Sequence, residues 1–374
     1  MVSSLAVLTS TASKPRIALV QQSDPTHAGS WSGVPAGLTS GFTAAGCEIV
    51  PVGAEFRGAG RLARYLGMSW ADQATSRAFA AAFTATANRR LRAAGQLDGV
   101  VMIGTSYTLS TDAPVVTFED MTVAQALRQP DSVYSTLSSA AAARWKARQR
   151  RVYECSRGCC VASRWVATSL REDYGVPDSK VHVVGLGRNL DVEPSDKDWH
   201  APRFLFVGAD WKRKRGDAVL EGFAAVRERY PEATLDLVGG HPQVDAAGVT
   251  GHGSLPLGSE EGRRRYAELL ARSTCLLMPS TFEPYGIAYL DAAAAGVGSI
   301  GTTVGGAEDA VGECGRVVDP DDPEALTPAM LEMADPETAR DCGERALARS
   351  GELTWQAVSE RVLIALGEPT AVAS

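Results

Sequence analysis

The sequence predicts an α/β protein of two doubly wound, parallel-sheet domains facing each other across a cleft. Three observations carry this expectation. The chain has 374 residues, more than one ordinary domain holds and enough for two of about 150–200 residues. Short apolar runs alternate with helix-like stretches in both halves. The alternation breaks once, at residues 189–202, where Asp, Glu, Pro, Ser, Lys and His replace apolar residues, and this reads as an interdomain linker. The expected domains are therefore 1–188 and 203–352.

In the first half, the apolar run Arg16–Val20 ends in Gln21-Gln22-Ser23-Asp24, as a buried parallel strand does where it meets its loop. A Gly-rich loop over 29–35, a helical stretch to Ala45 stopped by Gly46, and a strand over Cys47–Val52 complete one βαβ unit. Residues 69–94, rich in Ala and Arg, read as a helix. Gly99–Gly104, Pro114–Phe118, Cys159–Ala162 and Val181–Val184 read as further strands. The second half restarts with a strand over 203–208. Then come helix 218–230, strand 234–240, helix 260–271, strand 275–279, a helix near 286–295 and strand 297–300. Asp322-Pro323-Glu324 is expected to cap one more helix, with Pro at its first position.

Composition narrows the function. The apolar fraction of 45% fills two cores, and a net charge of −7 makes a poor general binder of nucleic acid or anionic membrane. No apolar run approaches the roughly 18 residues a membrane span needs. Residues 1–15 are small and polar, with Lys14 after the apolar segment 5–8, the reverse of a leader sequence. A ragged terminus and a cytoplasmic protein are expected. Seven cysteines, an odd and scattered set, argue against a disulfide framework. Cys155, Cys159 and Cys160 lack paired metal-ligand spacing and read as buried free thiols. Arg144, Lys146, Arg148, Arg150 and Arg151 read as a solvated helix surface. Gly185-Leu186-Gly187 lacks the third glycine and the following helix of a dinucleotide fingerprint.

The most informative segment runs from Pro279 to Gly296. A strand ends at Pro279, a loop carries Glu283, and a helix opens at Gly286, so its first amides point back into the loop and make a phosphate site. Asp291 follows in the second turn. This segment resembles the glutamate–seven–glutamate motif of retaining GT-B glycosyltransferases of family GT4, glycosyltransferase group 1. Glu283-Pro284-Tyr285-Gly286, Leu290-Asp291-Ala292 and Ala295-Gly296 match in register. Asp291 stands where the family has Glu, and Gly298 where it usually has Pro.

Further segments extend the resemblance. Lys212-Arg213-Lys214-Arg215 lies between a strand and a helix. The family places there an Arg and a Lys that hold the donor diphosphate, matched by Arg213 and Lys214, with Arg215 in the place of a glycine. Lys212 and Arg215 read as solvated. Gly33, in Trp31-Ser32-Gly33-Val34-Pro35, matches a glycine loop that approaches the donor phosphate. Near Glu119 and Asp120 relatives carry a His. Asp120 is favoured over Glu119 as its counterpart, and the alternative is an N-cap by Asp120. In Gly305-Gly306-Ala307-Glu308-Asp309, Asp309 stands in the family acid's place. Asp319 to Asp322 reads as a turn rather than a metal site. Residues 353–374 resemble the element that crosses back to the N-terminal domain.

The resemblance implies a GT-B fold of two Rossmann-like domains, the N-terminal one on the acceptor side and the C-terminal one binding the donor. The partners would be a nucleotide-diphosphate sugar and an acceptor hydroxyl, expected on a small soluble molecule. No nucleic acid, stable membrane insertion, cofactor or metal is expected. Glu283, Asp120, Lys214 and Arg213 are the candidate catalytic residues. Gly33, Arg213, Lys214, Tyr285, Gly286, Ile287, Asp291, Gly239 and His241 are the candidates for holding the donor. A nucleotide-sugar 2-epimerase and a non-catalytic nucleotide-sugar or glycan binder remain alternatives on the same fold.

Overall fold

The computed structural model describes residues 14–26, 30–129, 134 and 137–367. Gly29 of the expected glycine loop and most of the N-terminal segment lie outside them. The first sheet contains β1 (Arg16–Gln21), β2 (Glu48–Gly53), β3 (Gly99–Ile103), β4 (Val115–Glu119), β5 (Gly158–Val161) and β6 (Val181–Val183), in the order β2-β1-β3-β4-β5-β6. The second contains β7 (Arg203–Gly208), β8 (Thr234–Gly239), β9 (Val249–Gly251), β10 (Cys275–Leu277), β11 (Gly298–Thr302) and β12 (Gly315–Val318), in the order β12-β11-β10-β7-β8-β9. Every described pairing is parallel. Helices cover both faces, so β3, β10 and β11 are buried along their whole length, which explains their unbroken apolar or small-residue runs.

Each sheet has a switch point where the winding reverses, and ligands bind outside the carboxyl ends of the strands there. In the second sheet it lies between β7 and β10. The loop after β7 carries the cation run and the loop after β10 carries Glu283, so topology alone sets them side by side. In the first sheet it lies between β1 and β3, next to the carboxyl end of β4. Residues 189–202 hold no helix or strand.

Three expectations change. The stretch 69–94 is two helices, Trp70–Thr75 and Arg77–Ala93, because Ser76 takes an extended conformation and its hydroxyl accepts from the Phe79 amide. Asp322 does not cap a helix. It accepts from the Glu324 amide in a turn, and the helix begins only at Leu326. β9 and β12 were not expected. They are edge strands, short and only partly buried, without the apolar run that marks the central ones.

The helix Trp355–Leu366, capped by Thr354, packs on the helix Val34–Ala44 of the first domain. Glycines make this close approach possible. A Cβ at Gly37 would lie 2.1 Å from the Trp355 ring, one at Gly41 2.1 Å from the Trp355 carbonyl oxygen, and one at Gly187 2.5 Å from the Trp355 amide nitrogen. The Gly41 contact is with backbone, which cannot swing away. Gly41→Ala should therefore cost about 1–3 kcal/mol in urea unfolding. Gly60→Ala, on an open helix surface, should be neutral or stabilising.

Candidate active site

The site starts from a turn. Asp210 Oδ1 accepts from the Arg213 amide at 3.0 Å, and the Asp210 carbonyl accepts from the Lys214 amide at 3.0 Å. Arg215 then takes a left-handed conformation, φ 57°, before the helix Gly216–Arg229. This is the position where the family has glycine, the residue that adopts that conformation without strain. Arg215 was expected to be solvated but is half-buried, its Nη1 without a partner. Lys212 is exposed as expected.

The turn sends Lys214 inward over Gly208, where a Cβ would lie 2.7 Å from the Lys214 side chain. Its ammonium pairs closely with Glu283 Oε2, and both residues are buried. Arg213 Nη1 lies 3.7 Å from the same oxygen, donates to the Phe282 carbonyl at 2.9 Å, and its guanidinium sits over the Phe282 ring. Ser280 Oγ donates to Glu283 Oε2 at 3.3 Å. Burial alone would push the Glu283 carboxyl up, but Lys214 and Arg213 hold it below its ordinary value. Burial pulls the Lys214 ammonium down and Glu283 opposes that shift. The loop itself is pinned by Gly305, whose missing Cβ leaves room for the Glu283 carbonyl.

Gly286 caps the helix Ile287–Ala294 at φ 90°, with the Tyr289 ring against it, and Ile287 opens the helix. Asp291 is buried in the second turn of this helix. Its Oδ1 accepts from the linker amides of Asn189 and Leu190 at 2.8 and 3.0 Å, so this oxygen holds the linker. Burial pushes its carboxyl up to about 7, against those two hydrogen bonds. Asn189 is a node. Its Nδ2 donates to the Ser32 carbonyl at 2.7 Å, and its Oδ1 accepts from Trp355 Nε1 at 3.1 Å. Ser32 belongs to three consecutive left-handed residues, Trp31 (φ 45°), Ser32 (φ 52°) and Gly33 (φ 88°). Two of them are not glycine, which marks a loop held in strain by its surroundings.

On the first domain, Glu119 is the last residue of β4 and is buried. It accepts from Gln149 Nε2 at 3.0 and 3.2 Å and from the Tyr153 hydroxyl. Burial pushes its carboxyl up to about 7, against these hydrogen bonds. Asp120 is half-buried at the domain boundary. Desolvation and the negative charge of Glu283 across the cleft push it up to about 6. Asp120 is not a cap, because Thr122 and Gln125 form the capping box of the next helix. Glu119, but not Asp120, lines a cavity of about 160 Å³ at the ends of β1, β3 and β4.

The remaining candidates lie at the edges. Gly239, φ 116°, brings its backbone against Gly208, where a Cβ would lie 2.0 Å from the carbonyl oxygen. His241 has both ring nitrogens engaged, Nδ1 with the Pro242 carbonyl and Nε2 with the Gly253 amide beyond β9, so it offers a ligand no free nitrogen. Tyr285 is buried between the domains with its hydroxyl on the Leu186 backbone. Asp309 pairs with Arg164 across the domains. Sequence reasoning missed Gln149 and Asn189, since single amides in helical or linker segments carry no pattern. Cys155 is exposed, and Cys159 and Cys160 belong to different core clusters. Arg148 is half-buried and donates to the Ser106 carbonyl, whereas Arg150 is exposed as expected while donating to the Tyr174 carbonyl.

Two stability measurements follow. A carboxyl whose folded pKa is raised stabilises the fold below its unfolded value, and that contribution is lost as pH rises through the folded value. For Glu119 the window runs from its ordinary value of 4.5 to about 7. Wild type should lose stability from about pH 4.5 to about 7, and Glu119→Gln should lose less, by up to about 3 kcal/mol. Asp120 and Asp291 keep part of the decline in the variant. Arg215→Gly should match or exceed wild-type stability by up to about 1 kcal/mol, whereas Arg215→Val should lose about 1–2 kcal/mol. Thermal unfolding of the purified variants checks both.

Residues 201–335 match the model of the family described as glycosyl transferases group 1. An alpha-maltose-1-phosphate synthase of Mycolicibacterium smegmatis is 33% identical over 237 residues, which are 53% of this chain and 60% of that protein. An MMP alpha-(1->4)-mannosyltransferase of Mycolicibacterium hassiacum is 27% identical over 211 residues, 53% of this chain and 50% of that protein. The chain thus spans about half the length of the curated relatives it matches. A sucrose-phosphate synthase from Thermosynechococcus elongatus superimposes with a TM-score of 0.66 at 17% identity, over 93% of this chain and 97% of that one. WaaG, a glycosyltransferase involved in lipopolysaccharide biosynthesis, gives 0.64 at 16% identity, over 92% and 98%. These likenesses show the fold to be GT-B. The family match falls on residues 201–335, which hold the entire second sheet.

Proposed function

We propose that this chain is a retaining glycosyltransferase that moves a sugar from a nucleotide-diphosphate sugar to an acceptor hydroxyl, without metal or cofactor. The observation that carries the reading is the buried Lys214–Glu283 pair, flanked by Arg213 and by the amides at Gly286, at a sheet switch point. A cation kept this far from water is poised for an anionic ligand. Arg213, Lys214 and the helix start hold the diphosphate, and Glu283 orients the sugar. Asp291 offers a ribose only its second oxygen. The acceptor enters from the first domain, where Asp120 faces Glu283. The glycosidic C–O bond to the diphosphate breaks, the new bond to the acceptor oxygen forms on the same face, and the acceptor proton passes to the leaving diphosphate. Arg213 and Lys214 stabilise the charge that develops there. The largely buried free thiols fit a reducing compartment, and we place the reaction in the cytoplasm.

The test is a thermal-shift titration with uridine, guanosine, adenosine and thymidine diphosphates and their sugars, in the presence of a chelator. One nucleotide should stabilise the protein, by about 2.7 kcal/mol at about one hundred times its Kd. Arg213→Ala, at a half-exposed site, should keep the fold and lose roughly tenfold or more in that affinity. No shift with any nucleotide would refute the donor site. Consumption of the donor sugar without an acceptor, to give its 2-epimer, would replace transfer by epimerisation.

A further inference from the structure

The cavity at the ends of β1, β3 and β4 is a built polar site. Gln21 is 3% exposed. Its Nε2 donates to Ser23 Oγ at 3.0 Å and Ser30 Oγ at 2.5 Å, yet its buried Oε1 has no partner among the described residues. A buried amide oxygen without a donor is costly, and a ligand hydroxyl or amine would satisfy it. Glu119 and Glu55 line the same cavity, and among the described residues neither forms an ion pair.

Among the described residues, no Lys or Arg lines the cavity. Arg148 meets the wall only by donating to the Ser106 carbonyl at 2.9 Å and the Ala74 carbonyl at 2.5 Å. Among the described lining residues an anionic group would meet two carboxyls and no Lys or Arg, and would be desolvated without compensation. A protonated amine gains what an anion loses, a charge-assisted hydrogen bond to a buried carboxylate. The rings of Trp31 and Trp145 supply apolar faces for the C–H side of a saturated ring.

We propose that this cavity takes the acceptor, and that the acceptor is an amine-bearing polyol without anionic groups. Its amine meets Glu119 or Glu55 and a hydroxyl meets Gln21 Oε1. The assignment rests on the reading of the first domain as the acceptor side.

The test uses a matched triple, glucosamine, glucose and glucose 6-phosphate, titrated by ligand-observed NMR into the full chain without nucleotide. Glucosamine should bind tightest, roughly tenfold or more above glucose 6-phosphate. Glu119→Gln and, separately, Glu55→Gln are compared with wild type, with circular dichroism as the check on folding. At least one should abolish the preference for glucosamine over glucose while glucose binding persists. Glucose 6-phosphate binding as tightly as glucosamine, no binding of any of the three, or an unchanged preference in both folded variants would overturn the proposal. Nucleotide binding is measured separately on the same samples. If it persists, only the acceptor class falls. If it too is absent, the transferase reading falls with it.

Discussion

The buried pair between Lys214 and Glu283 is the constraint around which the second domain is arranged. Taking two charges out of water costs several kcal/mol each, and their attraction seldom repays more than that. The surrounding structure is spent on making the pair possible. Gly208 clears the path of the lysine, Gly305 clears the backbone of the glutamate loop, and Asp210 shapes the turn that aims the cations. Even the strain at Arg215 belongs to this arrangement, because a left-handed residue is needed there to start the next helix. Such an investment in a buried ion pair makes little sense as stabilisation and good sense as chemistry kept ready.

A second constraint works between the domains. Asn189 joins the strained Trp31–Gly33 loop, the crossing helix at Trp355 and, through its backbone, Asp291 beside the donor site. The carboxylate that the family motif assigns to a ligand here holds the linker amides of Asn189 and Leu190. Shortening Glu to Asp thus has a physical reading, since the side chain reaches the linker amides that lie next to its helix. The linker, the Trp31–Gly33 loop and the crossing helix are held together through one amide side chain.

The central strands were legible because parallel sheets bury both faces and write themselves as apolar runs. The loop with Glu283 and the turn with Lys214 were legible because a helix start, a glycine and charges at a strand end form a local pattern. Edge strands β9 and β12 were not, since half-exposed strands of three or four residues leave no such pattern. The pairing of Glu119 with Gln149 joins β4 to the helix Ser139–Cys155, 30 residues apart in sequence, and no local signal announces it. Nor does periodicity show that His241 engages both nitrogens with backbone on either side of β9, or that Asp120 looks across at Glu283.

The crossing helix has a consequence for how the chain comes to be folded. The helix Val34–Ala44 has glycines where its partner presses against it, and that partner, Trp355–Leu366, is translated only after the whole second sheet. During synthesis the first domain therefore waits, with an apolar face open, until nearly every other element has left the ribosome. The second domain, contiguous from β7 to β12, is under no such delay. The domain that begins first is finished last, and a nascent chain stalled before Trp355 would expose the first domain, not the second, to chaperones and proteases.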